Sequence, residues 1–404
     1  MRRALLTLVP LLAVLIVSAR EPAAPAADVS PAARDRGVYH LATDAEARWV
    51  SFDLTPGNQI RFTMQLDGRN VIAILDTGVS YTLLAKASPA VDTTKLVAGG
   101  RATAIGGSVA LGWMPTRSVA VGGLARTGGG VTVADLPAIA TGSASAVELL
   151  VGADILAGHA LDIDYAAHRF RLLRSGRLPF KGETAPLRVS AERSVYESAI
   201  TLGNRRLAPV VVDTGDGSSI TVTAPGWKAA KLTLPSTTAI SFGLAGPAVS
   251  GLAIVPDIHV GDMVARWSEV RIEPAGGFSQ SIGTAGRIGS GFLQNYRVLL
   301  DPGARRMVLS RGPKADTQPP RSTSGLLVGV ETDRLKVLHV MRGGPAATSG
   351  WKDGDLICSI DGTPIPADYA TSPVAAWSAG APGRVVQLGL CDGTIRALTL
   401  ARFY

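Results

Sequence analysis

Residues 74–82 read Ile-Leu-Asp-Thr-Gly-Val-Ser-Tyr-Thr, an apolar strand that runs straight into an Asp-Thr-Gly turn. The same event recurs at Val210 to Gly215, Val-Val-Val-Asp-Thr-Gly. Nothing in the backbone requires an aspartate at the end of a buried strand, and a buried carboxylate is costly unless paired or hydrogen-bonded. Two of them in matching settings are expected to meet, so that Asp76 and Asp213 form one catalytic carboxylate pair.

Working outward, the two turns belong to an internal repeat. The intervals from Asp76 to Asp213, from Gly152 to Gly289 and from Asp164 to Asp301 are identical. Flanking segments keep that register: Leu149 to Gly152 lies over Gly286 to Gly289, and His168 to Leu172 over Arg305 to Leu309. One offset kept by elements so far apart in the chain implies a duplicated domain. Two such copies can close on each other about an approximate twofold axis.

Within each copy the pattern is β. Ile60, Phe62, Met64 and Leu66 alternate with polar residues, which predicts a half-buried strand. Asp67-Gly68 supplies a tight hairpin turn, and Val71 to Leu75 returns as a strand buried on both faces. In the second copy Ala199 to Leu202, a turn at Gly203-Asn204, and Val210 to Val212 repeat the plan. Pro209 cannot donate to a ladder and is expected to mark that strand's start. Gly99 to Gly130, and Ile240 to Val255 in the second copy, read as hairpins, one of which can cover a cleft as a flap.

A strand, an Asp-Thr-Gly turn, hairpins, then an apolar pair before Gly and a short helix: this order resembles the retropepsin-like aspartic proteases, with both copies in one chain as in the two-lobed pepsins. The resemblance covers about residues 46 to 312. It implies an all-β fold of two acid-protease-type lobes, 46–175 and 176–312, packed about a pseudo-twofold axis. By the same resemblance Thr77 and Thr214 brace the facing loops through hydrogen bonds, and Gly78 and Gly215 let the backbone approach. The implied reaction is hydrolysis of a polypeptide substrate by water activated between Asp76 and Asp213, with no metal and no cofactor. Two carboxyl groups about 3 Å apart cannot both ionise, so they share a proton and titrate as a pair.

Asp216, directly after Gly215, departs from the family pattern, in which a small residue usually follows the glycine. Two readings stand: it raises the proton affinity of the pair, or it points outward on a glycine-loosened loop. Neither hairpin carries the flap tyrosine of pepsins. Asp164 and Asp301 are expected to be solvated at a strand or turn.

After a linker at 313–322, residues 323–404 are a different module. Gly325-Leu326-Leu327-Val328 opens a strand, Leu335 to Met341 alternates, Gly344-Pro345-Ala346-Ala347 starts a short helix, and Gly354-Asp355-Leu356-Ile357 leads to Ile360-Asp361-Gly362. These segments resemble a bacterial PDZ domain, a small β-rich α+β fold. The resemblance implies that the Gly325, Leu326, Leu327 and Val328 loop offers N–H groups to a peptide ligand that adds as a strand. Cys358 and Cys391, the two cysteines of the chain, are both here. A disulfide and two buried thiols are both compatible with the sequence.

Arg2 and Arg3 precede an apolar run, Ala4 to Val17, that ends in Val17-Ser18-Ala19. Residues 1–19 therefore read as a secretory signal, with a membrane contact only through that segment if it stays uncleaved, and 20–45 as an extended linker. The expected location is exported, periplasmic or extracellular. Forty basic against 32 acidic residues give a net charge of +8, yet the basic residues are scattered and aromatics are only 5%, so no nucleic-acid partner is expected. There is no His-Glu-x-x-His, Gly-x-Ser-x-Gly or phosphate-loop pattern. The function expected is an exported aspartic endopeptidase; the alternative is a catalytically inactive peptide-binding protein on the same scaffold.

Overall fold

The computed structural model describes residues 36–141 and 146–404; the expected signal segment lies outside them. Strand accounts for 47% of residues and helix for 11%, so the chain is mostly β. Among the described residues no helix is long and apolar enough to cross a membrane.

The alternating segment forms strand Ile60–Leu66, and Arg69–Leu75 returns beside it with Leu66 opposite Arg69. Asp67 and Gly68 both take positive φ (53° and 84°), the geometry of a hairpin turn whose twist matches the strands. Arg69–Leu75 then runs parallel to Leu149–Val151, which lies antiparallel to Leu83–Ala85. In the second half, Arg205–Asp213 runs parallel to Gly286–Gly289, which lies antiparallel to Ile220–Thr223. Each Asp-Thr-Gly turn thus leaves a strand flanked by the same neighbours in the same directions.

Pro209 does not begin its strand. The strand spans Arg205–Asp213, and the ladder with Tyr196–Leu202 shifts register between Ser198 and Ile200, which pair with Val210 and Leu207. Ala208 and Pro209 fill that bulge, where an extra residue is left out of the ladder and a missing N–H costs nothing. Val38–Leu41, inside the expected linker 20–45, is a strand paired with Leu124–Thr127.

The halves are joined by a sheet that draws on both. Ala160–Asp164 pairs antiparallel with Tyr296–Asp301, with Asp162 opposite Leu299, its counterpart in the repeat. Arg169–Leu173 and Arg306–Arg311 extend the sheet on either side. A continuous apolar core runs from Phe52 through Tyr165 and Tyr196 to Leu309. Asp301 corrects one expectation, since it is fully buried and not solvated. It accepts hydrogen bonds from the Ser175 hydroxyl (2.6 Å) and from the N–H groups of Gly176 (2.8 Å) and Ala304 (3.1 Å), which offset its desolvation. Asp164 is half-buried and accepts from Ala167 N–H.

Residues 326–400 build a separate apolar cluster around Leu326, Trp351, Trp377 and Leu398. Its strands Leu326–Val330, Leu335–Val340, Leu356–Ile360, Val385–Leu390 and Ile395–Thr399 pair in that order. Cys358 and Cys391 are joined by a disulfide, with Cα atoms 5.1 Å apart, which resolves the alternatives left by the sequence. The stretch 313–322 has no regular element, but Asp316 accepts from Arg266 N–H at 3.0 Å.

Candidate active site

Both Asp-Thr-Gly turns arrive at one place. The Asp76 Oδ1 accepts the N–H groups of Gly78 and Val79, each at 3.1 Å, and the Asp213 Oδ1 accepts those of Gly215 and Asp216, each at 3.0 Å. The two carboxyl groups share a side-chain hydrogen bond. Gly78 and Gly215 are required by the approach: a Cβ on either would fall onto the opposite carboxyl group.

The turns are tied at their bases by Thr77 and Thr214, both fully buried. Each N–H donates to the other's hydroxyl at 3.0 Å. Each hydroxyl donates across the interface at 2.7 Å, Thr77 to Val212 O and Thr214 to Leu75 O. Loops from each half also cross over. Asn58 Nδ2 donates to Gly217 O at 2.9 Å, and Ser80, the repeat equivalent of Gly217, donates to Arg193 O at 2.5 Å. Gln59 Nε2 reaches Gly215 O at 2.6 Å.

Loss of water raises the Asp76 carboxyl to about 6, against its hydrogen bonds from Gly78, Asp213 and Val79 and with the charge of Asp216 adding to the rise. Asp213 is more deeply buried, at 8% exposed. Its burial, then the charges of Asp76 and Asp216, hold it well above the ordinary carboxylate range, with Arg287 opposing. Both carboxyl groups therefore hold protons more tightly than an ordinary carboxylate and titrate as a coupled pair.

Asp216 does not point outward. Its Oδ2 accepts from Arg287 Nε at 2.8 Å, and its Oδ1 accepts the Ser218 N–H and hydroxyl at 2.9 and 2.6 Å. Arg287 also donates through Nη1 to Glu273 Oε1 (2.6 Å) and the Ser279 hydroxyl (2.8 Å). Burial pushes Asp216 up, but Arg287 and Ser218 outweigh it and keep the carboxylate ionised. In the first half the corresponding positions are Val79 and Leu150, which pack in an apolar cluster with Ile74 and Leu83. An apolar contact on one side of the pair is thus an ion cluster on the other. Sequence reasoning noticed Asp216 but missed Arg287 and Glu273; the signal was Arg287 standing in an otherwise apolar repeat position.

Two hairpins extend from the two halves, Val97–Ala104 with Gly107–Pro115 and Ser236–Gly243 with Gly246–Val260. Their tips meet: Ala245 N–H donates to Ile105 O at 3.2 Å, and a Cβ on Gly106 would lie 2.6 Å from Gly246 O. Leu244 of the second tip packs on the apolar cluster of the first half.

In the C-terminal module, the loop read as a carboxylate cradle has some of its donors in use. Gly325 N–H donates to the Ser322 hydroxyl (3.0 Å) and Leu326 N–H to the Ser324 hydroxyl (3.1 Å). Leu327 packs with Met341, Phe403 and Tyr404 against Ala239 and Leu252 of the second hairpin, where the Thr238 hydroxyl lies 2.7 Å from His339 Nε2. Val328 stays in the strand Leu326–Val330, an edge strand of its sheet.

Among the described residues no three His, Cys, Asp or Glu side chains are grouped to hold a metal ion. Compared with known proteins, the chain matches no family model and no curated protein.

Proposed function

We propose that this chain is an aspartic-type endopeptidase made of two retropepsin-like lobes, residues 46–175 and 176–312, with a PDZ-like module at 323–404. The observation that carries the reading is the apposition of Asp76 and Asp213 on turns braced reciprocally by Thr77 and Thr214.

The chemistry follows from one shared proton. One carboxyl of the pair holds it and donates a hydrogen bond to the scissile carbonyl oxygen. Its ionised partner takes a proton from the water that attacks the carbonyl carbon. The tetrahedral intermediate collapses as a proton passes to the leaving amine, and no covalent bond to the protein forms. The substrate lies extended beneath the hairpins, whose backbone groups hold it as an added strand.

The PDZ-like module would receive a peptide along the free edge of Leu326–Val330. Because Gly325 and Leu326 N–H groups are engaged by Ser322 and Ser324, affinity there rests on strand pairing rather than on those two donors.

Peptide turnover by wild type, Asp76→Asn and Asp213→Asn across pH 4 to 8 tests the reading. Turnover by wild type alone is the expected result. Equal rates in all three proteins, or none in any, would sink it in favour of a peptide-binding scaffold.

A further inference from the structure

A cavity of about 440 Å³ opens between the tip of the first hairpin and the second half. Its roof is the tip of the first hairpin, with Ile105 and Gly106, and its floor includes Ser218 and Arg287. Arg287 contacts Asp216, whose N–H in turn donates to Asp213. The cavity is therefore linked to Asp213 through Arg287 and Asp216.

Its lining is unusual for a side-chain pocket because ionised groups, Arg271, Glu273 and Arg287, face it. Their hydrogen-bonding capacity is unevenly spent. Glu273 accepts from Arg287 through one oxygen and from Ser279 N–H (2.8 Å) through the other. Arg287 is bound to Asp216, Glu273 and Ser279. Arg271 donates from Nη1 to Ile240 O at 3.1 Å, while its Nε is buried with no hydrogen-bond partner, and its nearest acid, Glu269, is 3.8 Å away. The Ser250 hydroxyl, on a residue 7% exposed, is also buried without a partner. Buried donors left unpaired are costly, and the two residues that carry these donors line one cavity whose acidic residue is already engaged through both oxygens.

We infer that this cavity is a specificity pocket for an acidic side chain of the peptide, with Arg271 as the selecting residue and Ser250 as a second donor. The inference rests on the reading of Asp76 and Asp213 as a peptidase pair. A substrate carboxylate entering the pocket accepts from the guanidinium and the hydroxyl, a charge-assisted pair that a neutral amide reproduces only weakly. A lysine there meets two guanidinium groups and a carboxylate whose oxygens are already in use, so it is rejected.

The test is a random decapeptide library applied to the full chain and read by mass spectrometry in two ways. Cleaved products are collected from wild type, and retained peptides from immobilised Asp76→Asn. Asp or Glu should be enriched at one fixed position, roughly tenfold over Gln or Asn. Arg271→Glu should turn that preference towards Lys and Arg, and Arg271→Lys should keep the acidic preference at reduced strength, showing that the fold survives a change at this position. Cleavage without acidic enrichment, or enrichment unchanged in Arg271→Glu, overturns the inference and leaves the peptidase reading standing. Retention with acidic enrichment but no cleavage supports the pocket and counts against the peptidase. Neither cleavage nor retention overturns both.

Discussion

Thr77 and Thr214 donate to each other's hydroxyl at 3.0 Å, and each hydroxyl donates in turn to a strand carbonyl two residues before its partner. Removing one hydroxyl leaves a buried N–H and a buried C=O unpaired. Thr77→Val or Thr214→Val should each cost about 2–4 kcal/mol and abolish turnover, whereas Thr77→Ser should keep most of both. Urea unfolding of the variants checks the first, and because the two residues form one network their double variant should cost less than the sum.

The raised proton affinity of Asp76 has a stability consequence whose sign is fixed. A carboxyl whose folded value lies near 6, above its ordinary 3.8, binds its proton more tightly in the native state. Stability is then undiminished below about pH 4 and falls as pH rises towards 6. Asp76→Asn has no such proton to lose, so its stability relative to wild type should climb by roughly 3 kcal/mol between pH 4 and pH 7. A gap that stays constant across that range would show that the carboxyl is not strained by burial.

Asp216, Arg287 and Glu273 form a buried charge cluster, and breaking such a cluster costs more than replacing it. Asp216→Val should destabilise by about 3–5 kcal/mol, and Asp216→Val with Arg287→Leu and Glu273→Gln should recover most of that by restoring the apolar contact seen at Val79 and Leu150. Asp216→Asn should also move the acid limb of the pH–rate profile to lower pH, since the charge of Asp216 raises both members of the pair.

Gly106 has φ +94° and abuts Gly246 of the opposite hairpin. Gly106→Val should part the tips, raising KM several-fold while costing only about 1–2 kcal/mol of global stability. Peptide kinetics alongside thermal unfolding separate the two effects.

The disulfide Cys358–Cys391 closes a loop of 33 residues' separation. Cys358→Ser with Cys391→Ser should lower the stability of the C-terminal module by about 3–4 kcal/mol on loop-closure grounds, read from the change in its unfolding transition.

Much of the site was legible in the sequence because its parts are local. Asp-Thr-Gly after an apolar run fixes a turn and a carboxylate, and the unvarying offset of the repeat pairs one turn with the other. The strand pairs around Asp67-Gly68 were equally readable, since alternation and turn chemistry act over a few residues. What the sequence hid depends on contacts between distant segments. Asp301 looked like a solvated turn residue until Ser175, far earlier in the chain, was seen to donate to it. Arg287 and Glu273 became meaningful only when two different strands, Gly286–Gly289 and Met263–Glu273, brought them together with Asp216. Pro209 was misplaced because the bulge that accommodates it is created by the partner strand.

The charge cluster on one side of the carboxyl pair and the apolar contact on the other give the cleft a sense of direction. A peptide is not symmetric: its amides point differently when it is threaded one way or the other. A groove with identical sides would accept both orientations equally and divide its occupancy between them. With Val79 and Leu150 to one side and Asp216 and Arg287 to the other, a peptide bound as proposed would find its two threadings unequal in energy.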